Sequence, residues 1–387
     1  MTNPETLNIL LLAHDVSDAA ITKRIQMLQI GGASVTVAGF RRSLSPITSL
    51  AGCPVVDLGR TRNGRFLQRI AMVLWALLHV KRHKDLFAKA DVILARNLEM
   101  LAIAVAGARR TTDCVIIYET LDIHRMLLGS GFTHQGLRWL ERRLLRHAQG
   151  VFTSSPAFIR EYFNRINPTH LPIRLIENKP ILPLSIRSAS VRPTSQPWII
   201  GWFGIIRCKR SLQILADIVR QNPGHVEVVI RGRPALDEIP NFHEIVAATP
   251  GLSFGGPYTS PDDLASLYNP VHFVWTIDMY EEGLNSSWLL PNRLYEGGAF
   301  GAVPFAIEGV EMANYLSSKG IGVILSQPLT ASLNKFLTEL TSATYLQLAT
   351  AVQALPTAQW VCTENECVKL VEFMRSLKPE VCGASHV

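Results

Sequence analysis

The chain has 387 residues, enough for about two domains, with 48% apolar and 18% charged residues, which excludes a disordered chain. Its longest nearly uncharged apolar stretch, Ile70 to Val80, is well short of the roughly 20 residues that a bilayer crossing needs, and MTNPETLNILLLAHD lacks the basic start of a signal peptide. Residues 1–190 hold 25 Lys+Arg against 13 Asp+Glu (+12) and residues 191–387 hold 13 against 18 (−5), so a polyanion is expected to meet only the first half.

Short apolar strands alternate with helical patterns along the chain. In the first half Leu7–Ala13, Ser34–Ala38, Val92–Ala95, Val115–Tyr118, Val151–Thr153 and Ile173–Ile176 read as strands. Amphipathic helices are expected over Ala19–Ile30, Arg65–His83, Leu98–Arg109, Gly136–His147 and Pro156–Asn164. Continuous apolar strands joined by helical crossovers mean a parallel sheet covered on both faces. Lys179–Pro197 is rich in Pro and Ser without periodicity and reads as a linker. Strands resume at Trp198–Phe203, Val226–Ile230, Leu252–Phe254, Val271–Trp275, Ala302–Ala306 and Gly322–Leu325, and helical patterns near Leu329–Leu340, Ala343–Leu355 and Asn365–Leu377 follow. The expected organisation is a first doubly wound domain over 1–180, a linker over 181–197, a second over 198–355, and a C-terminal helix and tail over 356–387 positioned to pack back on the first. Ligands of such sheets bind at strand carboxyl ends, here in a cleft between the domains.

Several familiar sites are missing. Neither half has G-x-G-x-x-G after its first strand, and there is no Walker A lysine loop. The cysteines Cys53, Cys114, Cys208, Cys362, Cys367 and Cys382 form no C-x-x-C pair, so reduced thiols are expected rather than a zinc ribbon. No D-x-D pair offers a metal site, and aromatic residues are not interleaved with the basic ones as a nucleic-acid stacking platform requires.

The segment LLPNRLYEGGAFGAVPFA, Leu289 to Ala306, carries the strongest signal. Pro291 suits the start of a helix whose first N–H groups bind phosphate, and Asn292 and Arg293 add donors there. Glu296, one turn on, is placed to accept both hydroxyls of a ribose. Gly297 and Gly298 allow close packing, and Gly301 ends the helix. This segment resembles the donor-nucleotide region of GT-B-fold, family-4-like glycosyltransferases. With AHDVSDAAITKRIQMLQIGGASVTVAGFRR, ARNLEMLA, FTSSPAFIREYF, IENKP and FGIIRCKRSLQIL, the chain resembles bacterial exopolysaccharide glycosyltransferases of the succinoglycan ExoL type.

The resemblance implies two Rossmann-like domains facing across a cleft, a nucleotide-sugar donor in the second and an acceptor in the first. In FGIIRCKRSL it implies a donor site where Gly204 follows the strand and Arg207, Lys209 and Arg210 neutralise the departing diphosphate, a need met by charge-assisted hydrogen bonds. Arg231, in VVIRGRP, is a further candidate. Such enzymes usually carry a second acid before the ribose-binding glutamate, but Trp288 stands eight positions before Glu296. Asp278, Glu281, Glu282 and Asn285 are therefore the candidates for the donor sugar. On the acceptor side, the loop YETLDIH with Glu119, Asp122 and His124 resembles the place where inverting xanthan-type glucuronosyltransferases carry a catalytic aspartate, and Asp15 follows the first strand in a His-Asp pair. Asp122 is the expected general base for an inverting reaction, while a retaining one needs none. A helix N-cap is the plainer reading of Asp122, with His124 in the first turn.

Arg60–Lys84 has basic ends and a Trp-containing apolar centre, suited to resting on anionic lipid or to packing in the core. The expected function is transfer from a UDP-sugar to a lipid-linked oligosaccharide in exopolysaccharide biosynthesis, without metal or other cofactor. The expected place is the cytoplasm, peripheral on the inner face of the membrane, with no nucleic-acid partner. The rival readings are a sugar-nucleotide 2-epimerase of the same fold and a non-catalytic lipid- or nucleic-acid-binding protein.

Overall fold

A computed structural model describes residues 6–61, 66–108, 114–183 and 192–378. Arg62 and Arg65 of the basic helix, part of the Pro- and Ser-rich linker, Cys382 and the tail lie outside the described residues. The chain forms two compact units. One comprises the chain to Ser154, Phe158–Ile176 and the segment from Thr363; the other comprises Ser155–Ala157 and Glu177–Cys362.

The first unit holds β1 (Asn8–Ala13), β2 (Ser34–Arg41), β3 (Ser49–Leu50), β4 (Cys53–Arg60), β5 (Val92–Arg96), β6 (Val115–Thr120), β7 (Gly150–Thr153) and β8 (Ile173–Leu175). Their order is β3-β4-β2-β1-β5-β6-β7-β8, parallel except for the β3–β4 pair. Strands β1, β5, β6 and β7 are almost wholly buried apolar runs, because helices cover both sheet faces. The sequence reading omits β3 and β4. Pro54, Asp57 and Gly59 interrupt the apolar pattern of β4, and such a strand survives near a sheet edge, braced here by Arg41 Nε donating to Asp57 Oδ2 at 2.7 Å.

The expected helix over 65–83 is a helix over Phe66–His79 continued by a 3₁₀ turn over Val80–His83. The one expected over 156–164 is a wider π-type helix, Phe158–Ile166. The helix Glu364–Ser376 opens with a capping box between Thr363 and Glu366 and packs on the helix Ala19–Ile30. A Cβ on Gly31 would lie 2.4 Å from the Cys367 carbonyl oxygen, so glycine sets how closely the two approach.

The second unit holds β9 (Trp198–Ile206), β10 (Val226–Pro234), β11 (Leu252–Phe254), β12 (Phe273–Trp275), β13 (Val303–Ile307) and β14 (Val323–Leu325), all parallel, in the order β11-β10-β9-β12-β13-β14. Gly204 and Gly232 face each other in β9 and β10, both at positive φ, and a Cβ on Gly232 would fall 1.8 Å from the Gly204 oxygen. That approach keeps the two strands paired to Ile206 and Pro234, which delivers Arg207 to the end of the sheet. Each sheet reverses its winding once, between β1 and β5 in the first and between β9 and β12 in the second. Ligands of doubly wound sheets bind beside such switch points.

Candidate active site

The loops at the second switch point carry most of the expected donor residues. Arg207, directly after β9, reaches Asp278, after β12, with Nη2 3.4 Å from Oδ2, and its guanidinium lies 4.7 Å from the centre of the Tyr280 ring. Asp278 Oδ1 accepts from the Tyr280 N–H at 2.8 Å and from Ser286 Oγ at 3.2 Å, and Ser286 Oγ accepts the Glu281 N–H at 2.9 Å. A guanidinium stacked on one side and paired on the other is held still, with edge N–H groups able to meet a diphosphate. Beside it a small open hollow lies at the carboxyl ends of β12 and β13, walled by Thr276, Asp278, Ser286, Ile307, Val310 and Met312.

Lys209 is exposed in the first turn of the helix Lys209–Gln221, whose cap is the Cys208 sulfur accepting from the Ser211 N–H at 3.4 Å. Arg210 and Glu282 pair with each other at 2.6 Å, both about half exposed. Arg231 turns to the Gly256 and Pro257 carbonyls. Asn285 is buried at the start of a 3₁₀ turn, Asn285–Ser287.

The helix Asn292–Ala299 supplies the remainder. Pro291 stands at its N-cap and offers no side-chain bond, so the first-turn N–H groups have no side-chain cap among the described residues. Asn292 is exposed there, and Arg293 Nη1 donates to the Phe203 carbonyl at 3.2 Å while its buried Nε has no partner among the described residues. Glu296 is buried, and Tyr268 donates its hydroxyl to Oε2 at 2.9 Å. Burial, and then the Glu296 charge, push the Tyr268 phenol well up, so it stays a donor. Gly297 seats the helix on Val274 of β12, and Gly298 seats it on the Trp360 ring.

At the first switch point the structure separates the expected acceptor residues. Glu119 is fully buried between Arg24 Nε at 2.7 Å and Arg96 Nε at 2.6 Å. Burial alone would raise its carboxyl, but the two guanidiniums hold it below the usual range. It braces strand ends instead of facing an acceptor. Asp15 is likewise committed, accepting from the Ser17 N–H at 3.0 Å and pairing with Arg42 at 2.9 Å. Asp122 is exposed in the loop after β6, and its backbone carbonyl accepts from Thr120 Oγ1 at 2.9 Å. His124, not Asp122, caps the short helix Arg125–Leu128, its Nδ1 accepting the Met126 N–H at 3.2 Å.

Sequence reasoning placed His14 beside Asp15 after the first strand without giving it a role, and it passed over Arg96. His14 Nδ1 and Arg96 Nη1 and Nη2 are buried and lack partners among the described residues. Burial, the leading cause, pushes the His14 imidazole down, against the raising pull of Glu99 and Asp18. A His directly after β1 and an Arg ending β5 were the signal, since both positions flank the switch point. Among the described residues no three His, Cys, Asp or Glu side chains converge as metal ligands.

Comparison with known proteins gives these arrangements a context. Residues 25–179 match the family model described as a glycosyl transferase 4-like domain. The chain is 43% identical over 378 residues to the succinoglycan biosynthesis protein ExoL of Rhizobium meliloti (strain 1021), covering 96% of this chain and 94% of that protein. In structure it is similar to HepE from Anabaena in complex with UDP-glucose, with a TM-score of 0.70, 15% identity, and 96% and 99% of the two chains covered. Sucrose-phosphate synthase from Thermosynechococcus elongatus gives a TM-score of 0.69 at 15% identity, with the same coverage. These neighbours are GT-B glycosyltransferases, and the two parallel sheets here are the two halves of that fold.

Proposed function

The chain belongs to the glycosyl transferase 4-like family and is a glycosyltransferase, and on that premise we propose that it moves a sugar from a UDP-sugar to a lipid-linked saccharide acceptor in exopolysaccharide biosynthesis. The observation that carries this reading is the 43% identity, along nearly the whole of both chains, to a protein of succinoglycan biosynthesis. UDP-glucose bound in HepE supports a uridine nucleotide as donor.

In this reading the second unit takes the donor. Glu296 accepts the ribose hydroxyls, the uncapped first turn of the helix Asn292–Ala299 and Arg293 receive the diphosphate, and Arg207 with Lys209 neutralise it as it leaves. Asp278 and Ser286 border the hollow where the sugar would lie, and Asn285 precedes Ser286 in the same turn. Arg210 with Glu282, and Arg231, flank these groups. The first unit takes the acceptor, and Asp122, exposed past the end of β6, serves as base if the transfer inverts the anomeric centre. No metal or other cofactor has a part. Among the described residues no helix is long and apolar enough to cross a membrane, so attachment to the inner face of the cytoplasmic membrane would be peripheral.

The test is incubation of the protein with radiolabelled UDP-sugars and a membrane lipid extract, followed by extraction and anomer assignment of the product. Label in the lipid fraction is expected. Interconversion of free nucleotide sugars would replace this reading with an epimerase, and absence of any turnover would replace it with a binding protein.

A further inference from the structure

Two helices of the first unit share one unusual design. On Phe66–His79 the outward line Ile70, Leu74, Leu78 is exposed, with Leu74 at 54% and Leu78 at 79%, and exposed Lys81 and Arg82 follow its end. On Phe132–Leu145 the outward line is Phe132, Trp139 and Leu140, with Phe132 at 93% and Trp139 at 59%, and exposed Arg143 and Arg146 follow. Seven of the fifteen large hydrophobic side chains exposed among the described residues lie on these two helices. A surface helix ordinarily turns such a stripe inward, and a contiguous apolar face left outside marks an interaction surface.

The topology puts both stripes on one face. The connections β4 to β5 and β6 to β7 both step towards the β8 edge of the sheet, so right-handed crossovers carry both helices over the same side. The helix Leu98–Ala108 lies between them and packs on each, and Arg69 pairs with Glu99 to fix the first to this middle helix. Each outer helix lies on a crossover that returns to the start of the next parallel strand, so the basic residues of both lie on the returning side. The result is an apolar platform bordered by cations on the half of the chain that carries +12.

We propose that this face is a two-helix docking surface for an anionic phospholipid bilayer, with Phe132 and Trp139 inserting as a second foot beside Leu74 and Leu78. The proposal rests on the peripheral attachment stated above and adds the second helix to it. Charge complementarity selects the bilayer as occupant: interfacial helices combine exposed Trp, Phe and Leu with Lys and Arg that meet acidic headgroups. Another protein surface would not require the two basic ends on one side.

Flotation of the full-length protein with phosphatidylcholine vesicles, with and without 30% phosphatidylglycerol, tests this alongside sedimentation velocity without lipid. Wild type is expected to float with the anionic vesicles and to sediment as one species unaffected by the substitutions. Phe132→Ser/Trp139→Ser should lower the partition coefficient at least tenfold, as should Leu74→Ser/Leu78→Ser. Arg143→Gln/Arg146→Gln, which leaves all packing in place, should lower it ~30-fold at about one headgroup interaction per cation. If only the Leu74/Leu78 variant loses binding, the second foot is overturned while peripheral attachment stands. If wild type floats equally with neutral vesicles or not at all, the attachment itself fails. A concentration-dependent dimer abolished by Phe132→Ser/Trp139→Ser would assign the face to a second copy and overturn the proposal.

Discussion

Tyr268 and Glu296 settle what one substitution should do. The tyrosine hydroxyl holds one carboxylate oxygen at 2.9 Å inside the second unit, which restrains the group that the proposed function assigns to the ribose. Glu296→Gln keeps the shape but loses the charge, and a hydrogen bond to a charged group contributes about 1.5–3 kcal/mol. Titration calorimetry with UDP should therefore show affinity about tenfold to a hundredfold lower, with an unchanged circular dichroism spectrum. Tyr268→Phe, which removes the hydroxyl that donates to Oε2, should cost about fivefold. Undiminished UDP binding by Glu296→Gln would remove Glu296 from the site. Glu119 is the contrasting case. Its type and position suggested an acceptor contact, yet Arg24, 95 residues earlier in the chain, closes over it. Nothing local in YETLDIH announces a partner so distant, so the residue's role was not legible.

At the scale of elements, most of the fold was legible because buried parallel strands write themselves as short apolar runs. Strands β1, β5, β6, β9 and β10 all fall where those runs stand, and with them the loops that carry His14, Asp122 and Arg207. What escaped was held by tertiary partners. Strand β4 needs its neighbour β2 to be a strand at all. Arg192, inside the stretch that composition marks as linker, is buried and donates from Nε to the Asn269 carbonyl and from Nη1 to the Gly301 carbonyl, both at 2.9 Å. It closes the C-terminal ends of the short helix Leu264–Tyr268 and of Asn292–Ala299, a duty that charge and long reach allow but sequence does not reveal. The glycines of Asn292–Ala299 were read correctly as packing devices, and this gives a sharp test. A Cβ on Gly298 would stand 2.2 Å from the Trp360 ring. Helix propensity favours alanine there by up to about 1 kcal/mol, whereas overpacking costs about 1–3 kcal/mol. Gly298→Ala should thus lower the thermal midpoint, and a raised midpoint would mean that Trp360 yields.

For the molecule as a whole, acid sensitivity follows from two histidines whose protonation the fold disfavours. Burial is the leading cause in both cases, pushing His14 of the first unit and His272 of the second below the ordinary imidazole value of 6.5. At His272 the geometry fixes the tautomer: Nδ1 accepts the Ile199 N–H at 3.0 Å, so Nε2 bears the proton and donates to the Pro193 carbonyl at 2.8 Å. Protonating Nδ1 would break the bond that starts β9. A group whose folded value is depressed binds fewer protons folded than unfolded, so its contribution is complete above about pH 6.5 and is lost as pH falls towards the folded value. Each such group steepens the loss by at most about 1.4 kcal/mol per pH unit. Glu141 opposes this in the first unit, since burial raises its carboxyl. The second unit gives the cleaner reading, because the fully buried tryptophans Trp198, Trp202, Trp275 and Trp360 all lie there and report its unfolding. Urea titrations followed by tryptophan fluorescence should give a lower midpoint at pH 5.5 than at pH 7.5. His272→Asn should begin less stable but lose less between the two pH values. Equal midpoints for the wild type would mean that His272 accepts its proton without leaving Ile199 unpaired.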